Sequence, residues 1–125
     1  MDWVVRIGLV ELALGALLGW AMVVRDERPE WLKRIGIVAP QRIRQVHLDY
    51  VMMGLILIGV GLAVPDLPTA VAVALVFGTL VNPFLFVPLA FDPDAAQRLW
   101  YRALATVSFI CVSGALVAAA IVGPG

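Results

Sequence analysis

The hydrophobic and polar positions of the sequence form four long apolar runs joined by three shorter polar segments. The runs cover residues 3–24, 46–64, 69–91 and 99–122, and each is close to the roughly 20 residues with which a helix crosses about 30 Å of hydrocarbon. No internal repeat or low-complexity segment divides the chain. We therefore predict an all-α protein, a bundle of four transmembrane helices that forms a single domain over residues 1–125.

The composition supports membrane insertion. Hydrophobic residues make up 62% of the 125 residues and charged residues 14%, too few charges to cover a soluble surface of this size. The first run does not resemble a signal peptide, since Asp2 precedes it and no small-x-small site follows Val24. The net charge of zero gives no case for nucleic-acid binding, and the single cysteine, Cys111, excludes an intrachain disulfide and a multi-cysteine metal site. The partner that the composition indicates is the lipid bilayer.

Basic residues are concentrated around two of the three connections. By the positive-inside rule those connections, residues 25–45 and 92–98, are cytoplasmic, and the termini and the turn at residues 65–68 face outward. Only Arg6 lies on the opposite side. The chain is thus predicted to be a multi-pass protein of a bacterial inner membrane. The basic residues that carry this prediction are Arg25, Arg28, Lys33, Arg34, Arg42, Arg44, Arg98 and Arg102.

Two local features refine the helices. The segment 29–35 places Trp31, Leu32 and Ile35 on one side of a short helix, which is predicted to lie in the plane of the membrane interface. In the third span Pro83 cannot donate a hydrogen bond to the carbonyl of Thr79, so we expect a kink there.

Ionisable side chains inside the spans are the candidates for chemistry, because burying an aspartate at a helix centre costs roughly 2.5–3.5 kcal/mol. Glu11 shares a helical stripe with Gly8, Gly15 and Gly19, and this stripe is predicted to face other helices. Glu11 is either a protonated or hydrogen-bonded packing residue or, with Asp49, part of a proton relay. The sequence leaves both interpretations open.

His47 opens the second span, and Tyr50 and Gly54 follow it along one helical face. One histidine is too few for tetrahedral zinc, which takes three or four protein ligands. Haem supplies four nitrogens itself and needs only one axial histidine, which leaves its opposite face open. From the residues alone His47 is either a haem ligand or a structural histidine at the headgroup boundary. Met52 and Met53 are either further axial ligands or filling for apolar gaps.

Two segments resemble a known family. Residues 44–58, RQVHLDYVMMGLILI, resemble the second-span segment shared by bacterial styrene oxide isomerases and hydroxylaminobenzene mutases, in which a histidine opens the span and a glycine follows seven residues later, as Gly54 does here. Residues 77–82, FGTLVN, resemble the third-span segment of the mutases, where an aromatic-Gly-Thr lead precedes an asparagine. The size and the four-span layout also agree with this superfamily.

The resemblance implies a homotrimer that holds ferric haem b near its subunit boundaries through the second-span histidine. In the styrene oxide isomerases the iron acts as a Lewis acid on the epoxide oxygen, and ring opening followed by a 1,2-hydride shift gives an aldehyde. The mutases move a hydroxyl group from nitrogen to the ring of an arylhydroxylamine. Both reactions are redox-neutral and need no electron donor, and an apolar cavity keeps water from the reacting cation.

Carried over to this chain, the resemblance makes His47 the axial ligand of the haem iron, counts Gly54 with the cofactor-binding residues and gives Asn82 a polar contact in the pocket. The isomerases have an asparagine six residues after the histidine and a tyrosine four residues after the third-span asparagine. This chain has Met53 and Phe86 at those positions, so both substrate-positioning groups are missing.

Tyr50 and Asp49 are the residues expected to compensate for that loss. Tyr50 shares the face of His47, and its hydroxyl is expected to hydrogen-bond an oxygen in the pocket and so to act in catalysis. The sequence therefore predicts a haem b-dependent membrane isomerase for a small apolar aromatic epoxide or arylhydroxylamine.

Two other classes stay open. One is a non-catalytic haem-binding or haem-sensing membrane protein, which the residues at positions 53 and 86 would suit. The other is a cofactor-free small membrane subunit or transporter component, in which Glu11, Asp49 and Asn82 are packing or proton-relay groups.

Overall fold

The protein is built from helices, and its structure, a computed structural model, describes residues 2–124. Four helical segments are long and apolar enough to cross a membrane, namely Asp2–Glu27, Gln41–Ala63, Thr69–Phe91 and Leu99–Val122. This confirms the prediction of an all-α chain with four helices of membrane-spanning length and apolarity. Met1 and Gly125, the two ends of the predicted domain, lie outside the described residues. Only 17–33% of each apolar window is buried inside the protein, so most apolar side chains face outward, as expected beside lipid.

The helices run in chain order with short connections. They are α1 (Asp2–Glu27), α2 (Pro29–Arg34), α3 (Gln41–Ala63), α4 (Thr69–Phe84), α5 (Phe86–Phe91) and α6 (Leu99–Val122), with a 3₁₀ turn at Pro93–Gln97 before α6. The predicted second span began at residue 46, but α3 begins five residues earlier. The added first turn is mostly polar. A membrane helix can extend beyond its apolar run into the headgroup region, so the hydropathy pattern alone does not mark where the helix begins.

Glycines let α1 and α3 approach to backbone contact. A Cβ added to Gly8 would lie 2.9 Å from the carbonyl oxygen of Gly54, and one added to Gly54 would lie 2.7 Å from the backbone nitrogen of Leu12. Gly15 faces α3 in the same way, at 2.8 Å from a methyl group of Val51. The predicted stripe of small residues on the first span therefore does face another helix, and close van der Waals packing is its role.

The third span is divided just after Pro83, where the sequence predicted a kink. Helix α4 ends at Phe84, and α5 resumes after Leu85, whose backbone nitrogen donates to the carbonyl of Val81 at 3.0 Å. Beyond Leu85, α5 contacts α3, while the main body of α4 packs between α3 and α6. The third span therefore contacts α3 along both of its parts and α6 along α4.

The first connection folds against the end of α5, on the side of the bundle that the charge distribution predicts to be cytoplasmic. The short helix α2 forms where the sequence predicted it, but its apolar side chains do not share one environment, because Leu32 is buried while Trp31 and Ile35 are exposed. The backbone nitrogens of Val38 and Ala39 both donate to the carbonyl of Ala90, at 2.8 and 3.0 Å. These bonds join the first connection to the end of α5.

Candidate functional site

His47 lies half-buried at the contact between α1 and α3. Its ring approaches Gly19, where an added Cβ would lie 3.5 Å from the Cε1 atom, and its Nδ1 atom hydrogen-bonds the carbonyl oxygen of Gly15 at 2.5 Å. A carbonyl oxygen can only accept, so Nδ1 carries the hydrogen in a neutral ring. The Nε2 atom then holds the lone pair of the imidazole, which is the arrangement of a metal-binding histidine whose second nitrogen is oriented by a carbonyl.

These residues fit a haem ligand, because an axial position needs one nitrogen lone pair held in a fixed direction. Within residues 2–124 no group of three histidine, cysteine, aspartate or glutamate side chains could hold a metal ion. His47 is the residue that the sequence predicted as the ligand of a cofactor.

Tyr50 is buried three residues further along α3, and its side chain turns to α4. Its hydroxyl donates to the backbone carbonyl of Leu80 at 2.9 Å. Because a tyrosine hydroxyl has a single proton, that proton is already used in a contact between two helices. The structure therefore joins Tyr50 to α4 and joins His47 to α1.

Asn82 lies at a third contact, between α4 and α6. Its Oδ1 atom accepts a hydrogen bond from the Ser108 hydroxyl at 3.0 Å, and the same hydroxyl lies 3.2 Å from the carbonyl oxygen of Gly78. The resemblance gave Asn82 a polar contact in a pocket, and the structure shows it in contact with Ser108. Ser108 was not among the predicted site residues, although a serine in an apolar helix is itself a signal for an interhelical hydrogen bond.

The residues of the predicted site are therefore distributed over three helix contacts. Gly54 faces the backbone of α1, on the same side of α3 as His47, while Tyr50 and Asn82 bond α3 to α4 and α4 to α6. A single protomer does not collect these four residues around one cavity.

A second polar contact, which the sequence did not predict as a pair, joins Glu11 to Thr79. The Glu11 side chain is completely buried between α1 and α4, and the Thr79 hydroxyl lies 2.9 Å from its Oε2 atom. Its Oε1 atom is buried with no hydrogen-bond partner. Asp49, half-buried on α3, is near enough to Glu11 to interact with it electrostatically. The available sequence signal was Thr79 itself, a polar residue directly after Gly78 in the FGTLVN segment of an apolar helix.

Two apolar cavities lie elsewhere in the bundle. One of about 490 Å³ opens between α3 and α6 and is lined by Ile56, Val60 and Leu116 among others, and one of about 210 Å³ lies under α2 beside Leu32 and Val46. Neither cavity is lined by His47, Tyr50 or Asn82. These two cavities are thus separate from the residues of the predicted site.

Comparison with family models, with curated proteins and with solved structures gives no match for this chain. What the fold and the site define is a class, a small multi-pass helical membrane protein with one histidine presented at a helix contact.

Proposed function

We propose that the protein is a haem b-binding membrane isomerase in which His47 would hold the cofactor. The observation that carries this proposal is the hydrogen bond from Nδ1 of His47 to the carbonyl of Gly15, which directs the lone pair of the ring to Nε2. The glycine stripe of α1 supports it, because Gly15 and Gly19 allow the ring to lie close against the helix.

The chemistry divides between the cofactor and the chain. Haem b, when bound, supplies an open iron position that polarises an oxygen atom of the substrate. The chain orients the imidazole through the carbonyl of Gly15, and Trp20 and Leu48, the residues that follow Gly19 and His47 in sequence, are exposed apolar side chains. An apolar setting excludes water, which would otherwise capture a cationic reaction centre.

A homotrimer is part of the same proposal. His47 is half-exposed and lines neither of the two apolar cavities, so one protomer offers a ligand without enclosing a macrocycle. A second copy of the chain beside α1 and α3 would supply the missing wall. The resemblance to trimeric enzymes supports this placement of the cofactor at a subunit boundary.

The substrate class is a small apolar aromatic epoxide or arylhydroxylamine. An epoxide oxygen can only accept a hydrogen bond, but the Tyr50 hydroxyl already donates its hydrogen bond to the carbonyl of Leu80. Tyr50 therefore has no proton left to donate to an epoxide. An arylhydroxylamine carries N–H and O–H donors, for which the Tyr50 oxygen is a suitable acceptor. If Tyr50 contacts the substrate, the geometry therefore favours the hydroxylamine over the epoxide.

A non-catalytic haem-binding or haem-sensing protein is the second candidate. The observation in its favour is that the Tyr50 hydroxyl and the Asn82 carbonyl oxygen are both used in helix contacts, while Met53 and Phe86 supply no polar group. Such a protein would bind haem through His47 and leave aromatic epoxides and hydroxylamines unchanged.

Visible spectroscopy of purified protein tests haem binding. The chain is expressed with a haem precursor, purified in mild detergent, and compared with His47→Ala and with Leu62→Ala, an exposed site on the same helix. We expect a Soret band in the wild type and in Leu62→Ala, and its loss in His47→Ala. A Soret band of equal intensity in His47→Ala, or no band in well-folded wild type, would contradict the proposal.

Turnover without a reductant separates the two haem-binding candidates. Aryl epoxides and arylhydroxylamines are incubated with the haem-loaded protein, and the products are identified by mass spectrometry. Rearranged product from the wild type and none from His47→Ala would identify an isomerase. Full haem loading with no product from either class would leave the sensing or binding role.

A further inference from the structure

Glu11 presents a carboxyl group that the haem site does not use. Its side chain has 0% exposure, and it lies within the apolar run of α1. The described ion pairs join Arg25 to Asp26 and Arg98 to Asp92, so within residues 2–124 no basic side chain is paired with Glu11. An ionised carboxylate at this position would be a buried charge without a counter-ion, which is among the most costly states for a side chain in a membrane.

The hydrogen bonds around Glu11 form a short chain. The Thr79 hydroxyl lies 2.9 Å from Oε2 of Glu11 and 3.1 Å from the carbonyl oxygen of Val76. A threonine hydroxyl has one proton to donate, and a carbonyl oxygen can only accept. Thr79 can therefore satisfy Val76 and Glu11 together only if Glu11 donates and Thr79 accepts.

The two protonation states differ in what they leave unsatisfied. If Glu11 is ionised, Thr79 gives its proton to Oε2, and Oε1 shares the negative charge with no donor. If Glu11 carries a proton on Oε2, it donates a hydrogen bond to the Thr79 hydroxyl, which in turn donates to the carbonyl of Val76. The one buried atom without a partner is then the neutral carbonyl oxygen Oε1. Burying a neutral acceptor without a donor costs far less free energy than burying an unpaired charge.

We propose that Glu11 is a proton-binding site within the membrane span, which at neutral pH holds a proton on Oε2 and donates it to Thr79. The ligand of this site is the proton, and the bond that results fastens α1 to α4. Asp49 and Tyr50 are the titratable groups that approach it from α3. This proposal does not depend on haem binding or on isomerase activity.

Carbon-13 NMR of the glutamate carboxyl groups tests the protonation state directly. The chain has three glutamates, Glu11, Glu27 and Glu30, and the last two are exposed and serve as internal references. In detergent at neutral pH we expect one resonance at the chemical shift of a carboxylic acid and two at that of a carboxylate. Three carboxylate resonances would overturn the proposal.

Assignment of the acid resonance does not require a variant that disturbs the buried contact. Glu27→Gln and Glu30→Gln, at exposed positions, should each remove one carboxylate resonance and leave the acid resonance unchanged. Loss of the acid resonance in either variant would assign the proton to the surface and overturn the proposal.

A stability measurement tests the role of the proton in holding α1 to α4. In Glu11→Gln the amide donates to Thr79 as the protonated acid does, and it cannot ionise. We expect wild type and Glu11→Gln to unfold at similar denaturant concentrations at neutral pH, and only the wild type to become less stable at alkaline pH. An equal loss of stability in both proteins at alkaline pH would show that Glu11 does not fasten the helices in this way.

Discussion

Single residues at helix contacts decide how closely the helices of this protein approach. The family resemblance counted Gly54 among the cofactor-binding residues, and the structure places its Cα against the backbone of Leu12 and Gly8. Contact of this kind is the usual role of small residues in membrane helices, where van der Waals packing replaces the hydrophobic effect as the driving force. The same glycine spacing thus carries a packing function that can be tested without any cofactor.

The first prediction compares two glycines of α3. In Gly54→Ala the new methyl group meets backbone atoms of α1 at 2.7 and 2.8 Å, which cannot move aside as a side chain can, so we expect the free energy of unfolding to fall by about 1–3 kcal/mol. In Gly59→Ala the methyl group meets nothing within 4 Å, and stability should be unchanged or slightly raised. Unfolding in mixed detergent micelles measures both, and equal effects would contradict this account.

At the scale of elements, neighbouring helices donate hydroxyl hydrogen bonds to carbonyls around Pro83 in the third span. Ser108 reaches the Gly78 carbonyl, Tyr50 reaches that of Leu80, and Tyr101 reaches that of Leu85 at 2.8 Å. Side chains from adjacent helices commonly satisfy backbone groups where a proline interrupts a membrane helix. These bonds therefore join the third span to α3 and to α6, before and after Pro83.

The second prediction concerns the fastening of α6 to α4. In Ser108→Ala the buried hydroxyl that contacts Gly78 and Asn82 is lost, and we expect a loss of stability of about 0.6 kcal/mol, up to about 1.7, as measured for interhelical hydrogen bonds in membranes. Ser113→Ala is the matched control, since Ser113 is exposed and bonds the carbonyl of Phe109 in its own helix. Equal losses in the two variants would show that the Ser108 contact contributes nothing specific.

At the scale of the whole molecule, the structure brings the two basic connections to the same end of the bundle. The hydrogen bonds from Val38 and Ala39 to Ala90 join the first connection to the segment that precedes the second. This common end is what the positive-inside rule needs, because both connections must then lie on the same side of the membrane. The cytoplasmic orientation of that end is a prediction of the charge distribution.

The third prediction tests that orientation by cysteine labelling in a Cys111→Ser background. Arg34→Cys and Asp66→Cys place single thiols at exposed positions in the first connection and in the turn between α3 and α4. In intact cells a membrane-impermeant maleimide should label the thiol at position 66 and not the one at position 34, which should react only after permeabilisation. The reverse pattern would invert the topology.

Much of the fold was accessible from the sequence, and the candidate site was accessible only in part. The four spans, the short helix after Arg28 and the interruption at Pro83 were predicted and are present. His47 and Tyr50 were predicted to share a face, yet three residues of helix separate their directions by roughly 60°, which is enough to send one to α1 and the other to α4. Helical periodicity predicts which residues share a face of a helix, but it does not predict which neighbouring helix that face contacts.

The sequence by itself determined that this is a four-span helical protein and where its helices lie, because hydropathy and charge are summed over about 20 residues and tolerate local ambiguity. Only the tertiary structure decided that Glu11 meets Thr79, that Ser108 meets Asn82, and that the ring of His47 meets the carbonyl of Gly15. The physical reason is that a hydrogen bond forms only within a few tenths of an ångström of its preferred length. Such distances are set by how the helices pack and are not encoded in the pattern of any one of them.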